Sequence, residues 1–199
     1  MEKTSPPLLQ RVWRTARPWL VSLILVLMLR YTGALGGISD ALGTLLLKTG
    51  AMNASTDAPL VMHDFPYNFT LQDLRGNVVN VEHLRGKTLF INVWATWCGP
   101  CRIEMPSIEA LYNRTDTSRV AFLMISVDDF DQHHKVKEFV TGRGFTFPVY
   151  TPAGALPDIL RVRSIPTTFI VAPNGQVVMR KSGPANYNTA KVHNLLKSL

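Results

Sequence analysis

Seven consecutive residues, Thr88-Leu89-Phe90-Ile91-Asn92-Val93-Trp94, constrain this chain more than any others. They are apolar, β-branched or aromatic at nearly every position and show no alternation, which predicts a strand buried on both faces. A strand of that kind lies inside a sheet with further layers above and below it. Just past its end stand the chain's only two cysteines, in Trp97-Cys98-Gly99-Pro100-Cys101. Two cysteines spaced C-x-x-C suggest redox chemistry or half of a metal site.

The punctuation around that strand is regular. Phe69-Thr70-Leu71 and Val78-Val79-Asn80-Val81, separated by Leu74-Arg75-Gly76-Asn77, read as two short strands joined by a Gly/Asn turn. A helix is expected from about Gly99 to Arg114, with Ile103, Met105, Ile108 and Leu111 inward. Val120 to Val127 repeats the buried-strand pattern, and Asp131 to Gly142 reads as a polar helix with Val136, Phe139 and Val140 inward. Phe147 to Tyr150 predicts a short strand, and Leu156 to Leu160 a short helix. Thr167 to Ala172 with Gln176 to Lys181 predicts a hairpin around Pro173-Asn174-Gly175, and Tyr187 to Leu199 a last helix. Strands alternating with helices predict a three-layer α/β domain over residues 64–199.

Before that domain the composition changes. Residues 1–31 carry Lys3, Arg11, Arg14 and Arg17 ahead of an apolar run from Trp19 to Leu29. Basic residues before an apolar run place the downstream chain on the far side of a membrane. The run is shorter than the roughly 20 residues of a spanning helix, as in a cleaved signal, and Thr32-Gly33-Ala34 stands at a suitable distance for cleavage. Arg17 and Arg30, however, lie roughly 20 Å apart along a helix, and snorkelling at each end extends that toward a hydrocarbon core. The segment therefore reads as a signal-anchor, with a cleaved signal as the alternative. Residues 32–63, rich in Gly, Ala, Ser and Thr, read as a linker.

Charge excludes one class of partner. Residues 1–48 hold six Lys/Arg against two acidic residues, so more than half of the net charge of +7 belongs to the targeting region and its linker. The rest of the chain has no basic run longer than Arg180-Lys181, and a nucleic-acid partner needs a clustered basic face. A zinc site would need a second Cys/His pair at suitable spacing, which the sequence lacks; no metal is expected.

The cysteines have the setting that dithiol exchange requires. A thiol attacks as thiolate, so its pKa must fall from about 8.5. Cys98 comes after a strand and opens a helix, where unpaired backbone N–H groups and the helix dipole favour an anion. Cys101, one turn on and deeper, is placed to attack a mixed disulfide and release the substrate. Gly99-Pro100 permits the tight turn and starts the helix with a residue that has no N–H to satisfy.

The run Asn92-Val93-Trp94-Ala95-Thr96-Trp97-Cys98-Gly99-Pro100-Cys101-Arg102-Ile103-Glu104-Met105-Pro106 resembles the thioredoxin superfamily, in its TlpA/ResA/DsbE-like branch of bacterial membrane-tethered thiol:disulfide oxidoreductases. The resemblance covers roughly residues 64–199. It implies a thioredoxin-like fold with an N-terminal β-hairpin extension, preceded by a membrane-anchor helix. Ile165-Pro166-Thr167 matches the superfamily's cis-proline loop, which offers backbone groups to a substrate. Where thioredoxin has a buried aspartate this chain has Asn92, which cannot titrate. Glu104 matches the glutamate of the ResA-like branch and can serve as acid/base for Cys101, its pKa raised toward neutrality by partial burial.

The resemblance thus implies catalytic Cys98, Cys101 and Glu104, and a substrate surface of Trp97, Gly99, Pro100, Ile165 and Pro166. No cofactor is implied beyond a redox-active Cys98–Cys101 disulfide. Partners would be protein thiols and disulfides, apocytochrome c in cytochrome c maturation among them, with a membrane electron donor of the DsbD/CcdA kind. The expected place is the outer, periplasmic face of a bacterial inner membrane. Gly-Pro between the cysteines resembles reducing members. A disulfide oxidant or isomerase of the same fold, and a copper-binding accessory module, are the alternatives.

Overall fold

The computed structural model describes residues 8–31, Leu45 and residues 64–199, with side chains of the first helix given over 17–28. Two compact units divide the chain, Met1–Leu42 and Gly43–Leu199. In the first, helix α1 runs from Leu8 to Tyr31 with Pro18 inside it. Trp19, Leu20, Val21 and every residue from Leu23 to Met28 are exposed large apolar side chains. Among the described residues, no helix is long and apolar enough to cross a membrane. The linker expected over residues 32–63 lies outside the described residues, Leu45 excepted.

The second unit is built on one seven-stranded sheet. Its strands are β1 (Thr70–Asp73), β2 (Val78–Asn80), β3 (Thr88–Trp94), β4 (Val120–Ser126), β5 (Val149–Pro152), β6 (Thr167–Val171) and β7 (Val177–Ser182), in the order β2-β1-β5-β4-β3-β6-β7. The expected central strand is β3, buried at all seven positions. It pairs parallel with β4 and antiparallel with β6, and β4 pairs parallel with β5. Strands β1 and β2 form the expected N-terminal hairpin, which β1 joins to the sheet through β5.

Helices α2 (Gly99–Tyr112), α3 (His133–Gly142) and α4 (Ala190–Ser198) complete the fold. Side chains alternate across a strand, and the two cores divide accordingly. Phe90, Phe122, Met124, Ile170 and Met179 meet Met105, Ile108, Val136, Val192 and Leu196 from the helices. Leu89, Ile91, Leu123, Phe169 and Val177 meet Phe65, Tyr67, Val81 and Leu160 on the opposite face. All three helices therefore share one face. The expected third layer exists, but it is made of the segment from Phe65 to Phe69 and the 3-10 turns Val81–Leu84 and Asp158–Leu160 rather than α-helices.

Most expected boundaries move by one or two residues, and four changes stand at turns and caps. The strand expected over Phe147–Tyr150 begins at Val149, because the Phe147 amide donates to the Glu109 carboxylate (3.3 Å) and Pro148 has none to give. The last helix starts at Ala190 rather than Tyr187: the Tyr187 amide donates to Ser107 Oγ (3.1 Å), and Thr189 caps the helix by accepting from the Val192 amide (3.3 Å). The helix expected from Asp131 starts at His133, after a 3-10 turn over Phe130–Gln132. Pro157 precedes a single 3-10 turn, Asp158–Leu160, where a helix from Leu156 was expected.

Candidate active site

Strand β3 ends at Trp94, and the chain turns through Ala95, Thr96 and Trp97 into Cys98. Cys98 is the N-cap of α2: its backbone is extended and its Sγ accepts from the Cys101 amide at 3.2 Å. The two cysteines are joined by a disulfide. Cys98 keeps a 5% exposed edge while Cys101 is sealed at 0%, as one helical turn inward predicts. Trp97 beside them is 70% exposed, against 0% for Trp94, which lies in the core. Pro100 is exposed and Gly99 half-buried.

The turn is held from below by a residue that sequence reasoning missed. Asp128, after β4, accepts from the Thr96 amide (2.9 Å) and Ser126 hydroxyl (2.6 Å) at Oδ2, and from the Thr96 hydroxyl (2.5 Å) at Oδ1. The Val127 amide donates to the Trp94 carbonyl at 2.8 Å. The signal was present as an acid directly after a buried strand, but nothing in the sequence joins it to Thr96, 32 residues earlier. Asp128→Ala is expected to destabilise the domain by about 2–3 kcal/mol, because it strands the buried Ser126 hydroxyl and the half-buried amide and hydroxyl of Thr96. Urea unfolding of the variant beside the parent measures this.

On α2 the inward positions are Cys101, Glu104, Met105, Ile108 and Leu111. Glu104 takes the place expected of Ile103, which is half-buried. The carboxyl is 0% exposed. Its Oε1 accepts from Asn92 Nδ2 at 2.8 Å and its Oε2 from the Ala185 amide at 3.1 Å. Asn92 Nδ2 also donates to Thr168 Oγ1 at 2.8 Å. Burial pushes the Glu104 carboxyl up to about 8; the hydrogen bonds from Asn92 and Ala185 and the charge of Lys181 oppose this without cancelling it. Asn92, expected only to be unable to titrate, is thus a direct partner of the group that can.

Ile165 and Pro166 complete the constellation. The peptide bond between them is cis. Val93 of β3 pairs with Thr167 of β6, so the Ile165-Pro166 bend lies one step beyond that pair, at the end of the sheet where the chain rises to Cys98. Pro166 is buried, and the half-buried Ile165 packs against both cores. The sheet thereby brings two segments more than sixty residues apart to one end. Among the described residues, no group of three or more His, Cys, Asp or Glu is placed to hold a metal ion.

The family model named Redoxin matches residues 61–199. The chain belongs to the Redoxin family. Within it, the Redoxin domain is similar to the thiol-disulfide oxidoreductase ResA of Bacillus subtilis, 31% identical over 134 residues that cover 67% of this chain and 69% of that one. ResA of Halalkalibacterium halodurans is 32% identical over 117 residues, 58% of this chain. That match spans 65% of the relative's own length, just under two thirds. Among solved structures, a thiol:disulfide interchange protein of the thioredoxin family from Chlorobium tepidum superposes with a TM-score of 0.56 at 26% identity, covering 69% of this chain and 97% of that one. These relatives place the Redoxin domain in the TlpA/ResA/DsbE-like part of the thioredoxin superfamily.

Proposed function

We propose that this protein is a thiol:disulfide oxidoreductase that reduces disulfides of particular protein substrates through Cys98 and Cys101. The observation that carries the reading is the graded burial of the pair: a rim-exposed Cys98 beside exposed Trp97, and a sealed Cys101 one turn from a buried carboxyl. In the reduced protein the Cys98 thiolate attacks a substrate disulfide, one substrate sulfur leaves, and a mixed disulfide forms. Glu104 takes the proton of Cys101, whose thiolate attacks Cys98 Sγ. The second substrate sulfur leaves and the disulfide seen here is restored. Two electrons pass to the substrate, and the pair serves as its own redox centre without another cofactor.

Trp97, Gly99, Pro100, Ile165 and Pro166 form the substrate surface in this reading: Trp97 and Pro100 are exposed, Gly99 and Ile165 half-buried at the end of the sheet where Cys98 stands, and the buried Pro166 shapes the bend beneath them. Each turnover leaves the protein oxidised, so a membrane donor of the DsbD/CcdA kind must recharge it. Apocytochrome c, a substrate of the TlpA-like branch, suits the role. Tethering to the outer face of a bacterial inner membrane is part of the proposal. Its support is the order of charge along α1, where Arg11, Arg14 and Arg17 precede the exposed, mostly apolar stretch from Trp19 to Met28. The length of the helix is not the support, since no helix among the described residues is long and apolar enough to cross a hydrocarbon core. Retention of the full-length chain in membranes after alkaline extraction is the expected result, and release of a shorter chain beginning near Leu35 would favour a cleaved signal.

The reduction potential tests the direction. Equilibration of the full chain with glutathione buffers is expected to give a value on the thioredoxin side of the scale, near about −270 mV, whereas a value near the −120 mV or so of a strong oxidant would overturn the reductase reading.

A further inference from the structure

One row of side chains crosses the sheet from the buried carboxyl toward solvent. Asn92 of β3 is in register with Thr168 of β6, and Thr168 with Lys181 of β7. Directly opposed residues of antiparallel strands project to the same face. Asn92 fixes which face, because its amide nitrogen donates to both Glu104 Oε1 and Thr168 Oγ1. The next row on that face, Phe90, Ile170 and Met179, is buried under the helices, while Arg180 lies over the Phe169 ring on the other face. Lys181 therefore belongs to the Glu104 side. Strand β7 is the sheet edge and Lys181 is half-buried there, a setting in which a lysine can cover apolar surface with its stem while its ammonium keeps contact with water.

We infer that Lys181 is a positioning residue for the dithiol exchange: its ammonium stabilises the carboxylate form of Glu104 and so governs when Glu104 can accept the Cys101 proton. The inference rests on the exchange reading above. Around Glu104 stand Cys101 from α2, Asn92 and Thr168 from β3 and β6, the Ala185 amide and Tyr187 phenol from the segment after β7, and Lys181. Burial keeps the Tyr187 phenol neutral. Among the described groups facing the carboxyl, Lys181 carries the positive charge that can balance it. When Glu104 takes the proton from Cys101, the thiolate forms the Cys98–Cys101 bond, and the proton leaves later to solvent or to the departing substrate sulfur.

The test tracks the mixed disulfide itself. Reduced full-length protein is mixed with oxidised glutathione, quenched with acid at intervals, and the Cys98–glutathione adduct is weighed by mass spectrometry across pH 5 to 10. Lys181→Met is expected to move the midpoint of the resolution rate upward by about 0.5 to 1 pH unit, so the adduct persists about 3- to 10-fold longer below that midpoint. Lys181→Arg should restore the midpoint. In Glu104→Gln, adding Lys181→Met should change nothing further, since the group it acts through is gone. The infrared carbonyl band of protonated Glu104, assigned by its loss in Glu104→Gln, should show the same displacement in the oxidised protein without turnover. A Lys181→Met profile that superimposes on the parent overturns the inference and leaves the exchange reading standing. A parent protein that neither forms the adduct nor gains the Cys98–Cys101 disulfide on mixing with oxidised glutathione overturns the exchange reading instead.

Discussion

Cys98→Ser is expected to lower the rate of exchange with protein disulfides by on the order of 10³-fold or more, while Cys101→Ser attacks once and then stops with its partner attached. The asymmetry comes from the geometry. Cys98 is the cysteine with exposed surface, and as the cap of α2 its sulfur accepts the Cys101 amide, a contact that favours the thiolate over the thiol. Cys101 has no exposed surface, so no protein substrate can reach it directly. Its role is confined to attack on a sulfur already held at Cys98. Cys101→Ser therefore removes resolution and leaves capture intact. Expression of full-length Cys101→Ser, alkylation of free thiols, and mass spectrometry of reducible adducts should yield discrete mixed disulfides that Cys98→Ser does not give. Activity that survives Cys98→Ser, together with tight copper binding by the reduced protein, would instead favour an accessory metal-binding module.

The features legible in the sequence are those that depend on neighbours along the chain. Thr88–Trp94 announced a doubly covered strand because seven residues without alternation fit no solvated surface. The Asn174-Gly175 turn between β6 and β7 announced itself through a glycine at φ +88°, which the tight return requires. The cysteine pair and the helix behind it were equally local. The features that escaped depend on which face of a helix or sheet meets which. Reading α2 by hydropathy placed Ile103 inward, but Cys101, Glu104, Met105, Ile108 and Leu111 form the true stripe, with an acid inside it. An inward carboxyl becomes tolerable only because Asn92 and the Ala185 amide, 12 and 81 residues away in sequence, come to meet it. The same limit hid the Asp128–Thr96 clamp, and it hid Lys181, whose relation to Glu104 exists only once β3, β6 and β7 are in register.

The buried carboxyl leads to the second large effect. Glu104→Gln is expected to slow resolution of the mixed disulfide by about 10²-fold, the usual scale for loss of a positioned general base. It should also stabilise the protein selectively at alkaline pH. In the unfolded chain the carboxyl titrates near 4.5, and in the fold near 8. The folded state therefore holds a proton that the unfolded state has released between those values, and stability must fall as pH rises through that window. Below about pH 4.5 both states are protonated and the contribution is complete; above about pH 8 it is gone, a change on the order of 5 kcal/mol. Glutamine mimics the neutral acid, with one oxygen left to accept from Asn92 or Ala185, and does not ionise. The difference in unfolding free energy between Glu104→Gln and the parent should thus be small at pH 5 and grow to several kcal/mol by pH 9. Taking that difference cancels every other titrating group that the two proteins share. Urea titrations of the oxidised proteins at pH 5, 7 and 9 measure it, and a difference independent of pH would mean that Glu104 is already ionised in the fold and cannot act as the neutral-pH acid/base of the pair.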